Sequence, residues 1–159
     1  MKDTENNEDC KWMRQALEVA RQAGESQEVP VGAVVVADGE LVAIGANAGQ
    51  WGLDPLGHAE IIAIRAAAEK LGSRYLEGCS LYVTLEPCAM CAGAIVLARV
   101  ERLIYAAEDP KAGACGSLYN IPQDAQLNHH VAITRGILAD EAGKLLSDFF
   151  KAQRTLGKK

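Results

Sequence analysis

Residues 83–100 read VTLEPCAMCAGAIVLARV, and within them the chain changes its local habit. VTL ends the run CSLYVTL at 79–85, whose β-branched and aromatic residues suit a strand. AMCAGAIVLAR at 89–99 is rich in small and helix-favouring residues and reads as a helix. Pro87 stands where that helix would begin, with a fixed φ suited to a first turn. Cys88 and Cys91 bracket the start. A first helical turn has unpartnered N–H groups and the positive end of the dipole, which favour thiolate over thiol. A Cys-x-x-Cys pair so placed serves a redox disulfide or a metal site, and these residues alone do not choose.

Outward from this stretch the pattern repeats. VPVGAVVVADGELVAIGAN at 29–47 reads as two strands joined by Asp38-Gly39, a strong hairpin signal. Residues 31–37 are apolar throughout, as in a strand buried on both faces. Residues 9–23 predict an amphipathic helix, with Met13, Leu17 and Ala20 at helical spacing beside Trp12 and Ala16. HAEIIAIRAAAEKL at 58–71 is helical and ends at Gly72. VERLIYAA at 100–107 predicts a fourth strand, HHVAIT at 129–134 a short fifth, and residues 139–154 a closing helix. Strands alternating with helices after a hairpin predict an α/β fold, a mixed sheet with helices on both faces. No repeat or linker interrupts residues 1–159, so one domain is expected. The segment between Ala107 and His129 has little pattern, and loops of that length are usually functional.

The second good helix decides the cysteines. GHAE places His58 and Glu60 at its start, after the loop WGLDPLG. Residues two apart diverge on a regular helix, but at a helix start both can turn toward a point beyond the end. His-x-Glu with Pro-Cys-x-x-Cys is the signature of zinc-dependent nucleobase deaminases. One neutral imidazole (His58) and two thiolates (Cys88, Cys91) balance the charge of Zn²⁺ and leave a fourth position for water. Such water ionises near neutral pH. Glu60 then moves protons instead of binding metal. Taken singly, His58 reads as a cap and Glu60 as a dipole partner. A closed structural site would need Cys79, Cys115, His129 or His130 as fourth ligand; no spacing favours any of them, and Glu60 would have no role. Cys10, Cys79 and Cys115 read as small packing residues.

Beyond the metal motif, the chain resembles the bacterial tRNA-specific adenosine deaminases of the cytidine-deaminase-like fold, over about residues 10–155. EVPVGAV, HAEIIAIR, LYVTLEPCAMCAGAI, DPKAGACGSLYN and GILADEAGKLLSDFF carry the likeness. The zinc motif alone fits free-base deaminases of guanine or cytosine equally well; the DPKAGACGS loop and Phe149-Phe150 narrow it. The resemblance implies a three-layer α/β/α sandwich with a five-stranded mixed sheet, a homodimer with one Zn²⁺ per subunit, and tRNA lying across the subunits. It implies hydrolytic deamination of the wobble adenosine to inosine in an arginine tRNA with an ACG anticodon. Asn47 and the backbone of Ala59 would then hold the flipped nucleotide, and Asp109 with its loop would meet the anticodon loop. Otherwise Asn47 and Asp109 are turn formers, and Phe149 and Phe150 core or dimer contacts. Leu56 stands where the family often has Thr, removing a possible helix cap. His130 stands where Arg is expected, weakening one phosphate contact at neutral pH.

Composition sets the remaining bounds. The net charge of −5 argues against a broadly basic nucleic-acid surface. The charge is uneven: Asp3, Glu5, Glu8 and Asp9 open the chain, whereas Lys151, Arg154, Lys158 and Lys159 end it. The plainer reading of that last cluster is a solvated helix end where cations suit the dipole; with Lys111 it would offer a local basic surface for a loop whose bases are already poorly stacked. The polar N-terminus lacks a secretory signal, no apolar run suits a membrane span, and five cysteines do not make a disulfide framework. A cytoplasmic protein is expected.

Overall fold

The computed structural model describes residues 2–50 and 52–157, with side chains from Asn7 onward. Asp38 and Gly39 both take positive φ, 52° and 73°. That backbone matches the twist of a two-residue hairpin, and it joins β1 (Gly32–Ala37) to antiparallel β2 (Glu40–Ala46). On its other side β1 pairs antiparallel with β3 (Cys79–Leu85). β4 (Arg102–Ala107) then pairs parallel with β3, and β5 (Ala132–Arg135) parallel with β4. The sheet order is β2-β1-β3-β4-β5. It follows that β2, β3, β4 and β5 run one way and β1 runs against them.

Strand alternation builds two separate cores. Val34, Val36, Tyr82, Ile104 and Ala106 face one way, against Trp12, Met13, Ala16 and Leu17 of α1 (Lys2–Glu25) and Ala142 of α4 (Ala139–Thr155). Ala33, Val35, Leu81, Val83, Leu103 and Tyr105 face the other way. They meet Ala59, Ala63 and Ala67 of α2 (Ala59–Leu71) and Ala92 and Ile95 of α3 (Ala89–Leu97). The result is the three-layer α/β/α sandwich with a five-stranded mixed sheet. Small residues set the layer spacing: a side chain at Gly45 would collide with the Ala59 carbonyl and the Ala63 amide, so α2 lies directly on β2.

The first core also holds an ion pair. Asp9 is 1% exposed. Arg102 donates to its Oδ1 at 2.8 Å, and the Tyr82 hydroxyl donates to the same oxygen at 2.8 Å. Arg102 also donates to Thr134 Oγ1 at 2.9 Å. One carboxylate thus ties α1 to β3 and β4, and Arg102 carries the link on to β5.

Several boundaries differ from the sequence reading. α1 begins at Lys2, well before residue 9, because a polar helix start needs no apolar periodicity. α3 stops at Leu97, since Ala98 caps it and Arg99 turns left-handed at φ 57°. The unpatterned stretch after Ala107 holds a bridge between Cys115 and Asn120 and a 3₁₀ turn at Ile121–Gln123.

Candidate metal centre and its cavity

Three connections leave the sheet at the same end, because β2, β3 and β4 are parallel to one another. Those after β2 and β3 lead into α2 and α3, and the one after β4 opens the loop at 108. The crevice outside the carboxyl ends of such strands is where α/β sheets place their sites.

His58 is the N-cap of α2 and Cys88 the N-cap of α3. Both have extended backbones, φ −81° and −75°, and neither has a side-chain hydrogen bond that caps its helix. Both are therefore free to aim past the helix ends. Cys91 lies one turn into α3 and is fully buried. His58 Nδ1 lies 3.6 Å from Cys88 Sγ and 3.5 Å from Cys91 Sγ. Tetrahedral zinc, with bonds of about 2.0 Å to nitrogen and 2.3 Å to sulfur, separates those atoms by about 3.5 Å. The donor set and spacing fit a zinc ion. Among the described residues this is the one group of three or more His, Cys, Asp or Glu ligand atoms gathered within 4.8 Å.

The fourth ligands weighed for a closed structural site are occupied elsewhere. His129 Nε2 donates to the Val100 carbonyl at 2.7 Å, and His130 Nε2 to the Asp124 carbonyl at 3.0 Å. Cys79 and Cys115 are buried in the α2–α3 core.

Glu60 follows His58 into the first turn of α2 and is 4% exposed. Burial pushes its carboxyl up to about 7. The two thiols divide one proton: a hydrogen bond from Cys91 holds Cys88 down at about 5, and Cys91 is raised. A bound dication would draw all three groups toward their ionised forms. His58, Glu60 and Cys88 line a cavity of about 150 Å³ with Asn47, Glu86 and Asp109, a volume that accepts one aromatic ring.

The other expected residues are placed as follows. Asn47 Oδ1 accepts the Ala59 N–H at 3.0 Å. Asn47 therefore does the capping that His58 does not. Leu56 lies two residues before the N-cap and is exposed, so a missing cap is not its consequence. Asp109 Oδ1 accepts the N–H groups of Lys111 and Ala112, at 3.0 and 3.2 Å, and closes a local turn at the cavity wall. Phe149 and Phe150 meet edge to face at 5.5 Å, and Phe150 is exposed. Gln153 Nε2 donates to Gln27 Oε1 at 3.2 Å, tying the end of α4 to the loop that leads into the cavity residues Val29 and Val31. Lys111, Lys151 and Arg154 are exposed; Lys158, Lys159 and the side chains of Asp3 and Glu5 lie outside the described residues.

Glu86 is the residue that the sequence reading missed. It is 2% exposed at the end of an apolar strand. A buried acid in that position needs partners, and this was the signal that could have found it.

The model of the MafB19-like deaminases matches residues 7–154. The chain belongs to that family. This deaminase is 45% identical over 143 residues to a tRNA-specific adenosine deaminase of Bacillus subtilis, covering 90% of this chain and 89% of the relative. It is 46% identical over 143 residues to one of Aquifex aeolicus, covering 90% and 94%. A structure from work on tRNA:A34 deaminases acting at the wobble position superposes with a TM-score of 0.82 at 45% identity, over 86% of this chain and 99% of that one. A guanine deaminase from Nitrosomonas europaea superposes with a TM-score of 0.73 at 29% identity, over 87% and 82%. The deaminase therefore groups with the tRNA-specific adenosine deaminases and shares its fold with a free-base enzyme. Among the described residues no helix is long and apolar enough to cross a membrane.

Proposed function

We propose that this deaminase converts the wobble adenosine of a tRNA to inosine, with an arginine tRNA bearing an ACG anticodon as substrate. The observation that carries the reading is a buried carboxyl, Glu60, in the same small cavity as His58 and Cys88, which with Cys91 form the cluster able to hold a metal. The relatives supply the substrate class.

His58, Cys88 and Cys91 would hold one Zn²⁺ per subunit. When bound, zinc supplies Lewis acidity and a reactive water near neutral pH. Glu60 does the proton work. It accepts a proton from the attacking water and passes it to N1 of adenine as the C6–O bond forms. It then moves the hydroxyl proton to the exocyclic amine, the C6–N bond breaks, and ammonia leaves. A carboxyl held near neutrality by burial suits both directions of transfer. Asn47 lines the cavity, and its amide nitrogen, which the bond from Ala59 does not use, would donate to the extruded nucleotide. The Ala59 backbone makes that bond and borders the base edge. Asp109 presents the turn at 109–112 to the anticodon loop, with Lys111, Lys151 and Arg154 as the local basic surface.

The working unit in this reading is a cytoplasmic homodimer. α3 carries no charged residue from Ala89 to Leu97. A helix apolar all round belongs in an interior, yet Leu97 is 79% exposed beside a groove lined by Ile64, Tyr75 and Ala94. A second copy of the chain would cover it.

The test incubates the protein with an ACG anticodon stem-loop and, separately, with free adenine, guanine and cytosine. Inosine at the wobble position with the bases untouched supports the reading. Turnover of guanine or cytosine with intact RNA replaces the substrate by a free base.

A further inference from the structure

Glu86 sits two residues before Cys88, just past the end of β3, and borders the same cavity. Its carboxylate receives four hydrogen bonds, all from one loop. Oε1 accepts the N–H of Asp109 at 3.0 Å and the Ser117 hydroxyl. Oε2 accepts the N–H groups of Cys115 at 3.1 Å and Ser117 at 3.0 Å. A carboxylate has about four acceptor positions, so none remains for a substrate although Glu86 borders the cavity. Two backbone bonds flank the clamp: Ala107 accepts from the Glu86 N–H at 2.8 Å, and Pro87 accepts from the Ala114 N–H at 2.8 Å. Gly113 fits against the carboxylate only because it lacks a side chain. The loop at 109–117 has no helix or strand of its own. Beyond its own turn bonds, one side chain meets it at three residues.

We propose that Glu86 is a positioning residue: by gathering Asp109, Cys115 and Ser117 it fixes the cavity wall that receives the substrate, and couples that wall to the turn bearing Cys88. Asp109 and its turn stand against the cavity only while this carboxylate holds the Asp109 amide. The proposal rests on the deaminase reading for its substrate, not for the clamp itself.

The test uses Glu86→Gln, which keeps size but turns an amide NH₂ toward backbone N–H donors. Amide hydrogen exchange is followed at Asp109, Cys115 and Ser117, with zinc content measured and KM and kcat determined on the ACG stem-loop. The expected result is faster exchange confined to 108–118, one zinc per chain, KM raised about tenfold, since hydrogen bonds to a charge are each worth about that, and kcat within about threefold. Ser117→Ala, which removes one of the four bonds, is expected to raise KM by a smaller factor, and it carries the test if Glu86→Gln does not fold. Unchanged exchange in this loop overturns the clamp. Faster exchange with unchanged KM overturns the positioning of substrate, and so does a loss confined to kcat. If the wild type is inactive on RNA but turns over a free base, the tRNA reading fails. The same KM and kcat split on that base then decides the role of Glu86.

Discussion

Two regions meet at the cavity and are built in opposite ways. The metal cradle consists of two helix starts, each a few residues long, with His58 and Cys88 both at N-cap positions. The wall facing it is an irregular loop that combines local turn bonds with three backbone N–H groups donated to Glu86, the residue after β3. The cradle is set by local backbone geometry, so its motifs are short and readable. The loop has a local turn at Asp109, but it is joined to the sheet by hydrogen bonds spanning 23 to 31 residues of sequence, and no local pattern records those. Chemistry and recognition should therefore fail separately when each region is damaged.

The largest expected effect is loss of the cradle. Cys91→Ala removes a buried candidate ligand, and zinc content and turnover are both expected to fall to background, checked by metal analysis and inosine assay. A variant that keeps zinc and activity would break the comparison at its base. Next is Glu60→Gln, expected to retain zinc and fold while turnover drops by about a thousandfold. Unchanged activity would remove Glu60 from the proton path.

The same variant has an opposite effect on metal-free stability. The Glu60 carboxyl titrates higher in the folded chain than in the unfolded one, so the folded state binds the extra proton. Wild-type stability from this group is intact below about pH 4.5 and declines as pH rises toward about 7, then levels off. In metal-free protein Glu60→Gln is expected to be the more stable by up to about 3 kcal/mol above pH 7. The gap should close near pH 4.5, as measured by denaturant unfolding across pH. A pH-independent gap would mean that burial does not govern this carboxyl. The smallest effect lies on the far face of the sheet. Asp9→Asn leaves Arg102 and Tyr82 without their carboxylate and is expected to cost about 2 kcal/mol, Arg102 being partly exposed. Zinc content should not change. An altered zinc content would mean that the two faces are not independent.

Much of the sandwich was legible because its signals are short-range. The third strand at 79–85 was read from β-branched and aromatic residues, and Asp38-Gly39 supplied the hairpin. The apolar run at 31–37 became β1, covered by helices on both faces. Less was legible where partners are remote. Asn47 read as a turn former or nucleotide contact, whereas the fold gives its oxygen to Ala59 on another element. Leu56 read as a lost cap, but the cap is supplied from residue 47. Glu86 gave no sign of its partners, because an acid beside Pro-Cys looks like part of the cysteine motif.

The sequence by itself determined the alternation of strands and helices and the hairpin, and it singled out His58, Cys88, Cys91 and Glu60 as the candidate groups. Those follow from side-chain chemistry and spacings of a few residues. Only the tertiary structure decided that 58 and 88 converge, since convergence requires β2 and β3 to run parallel with β1 between them. It alone decided that one carboxylate gathers the facing loop, because a buried charge takes its partners from whatever backbone the fold brings within reach.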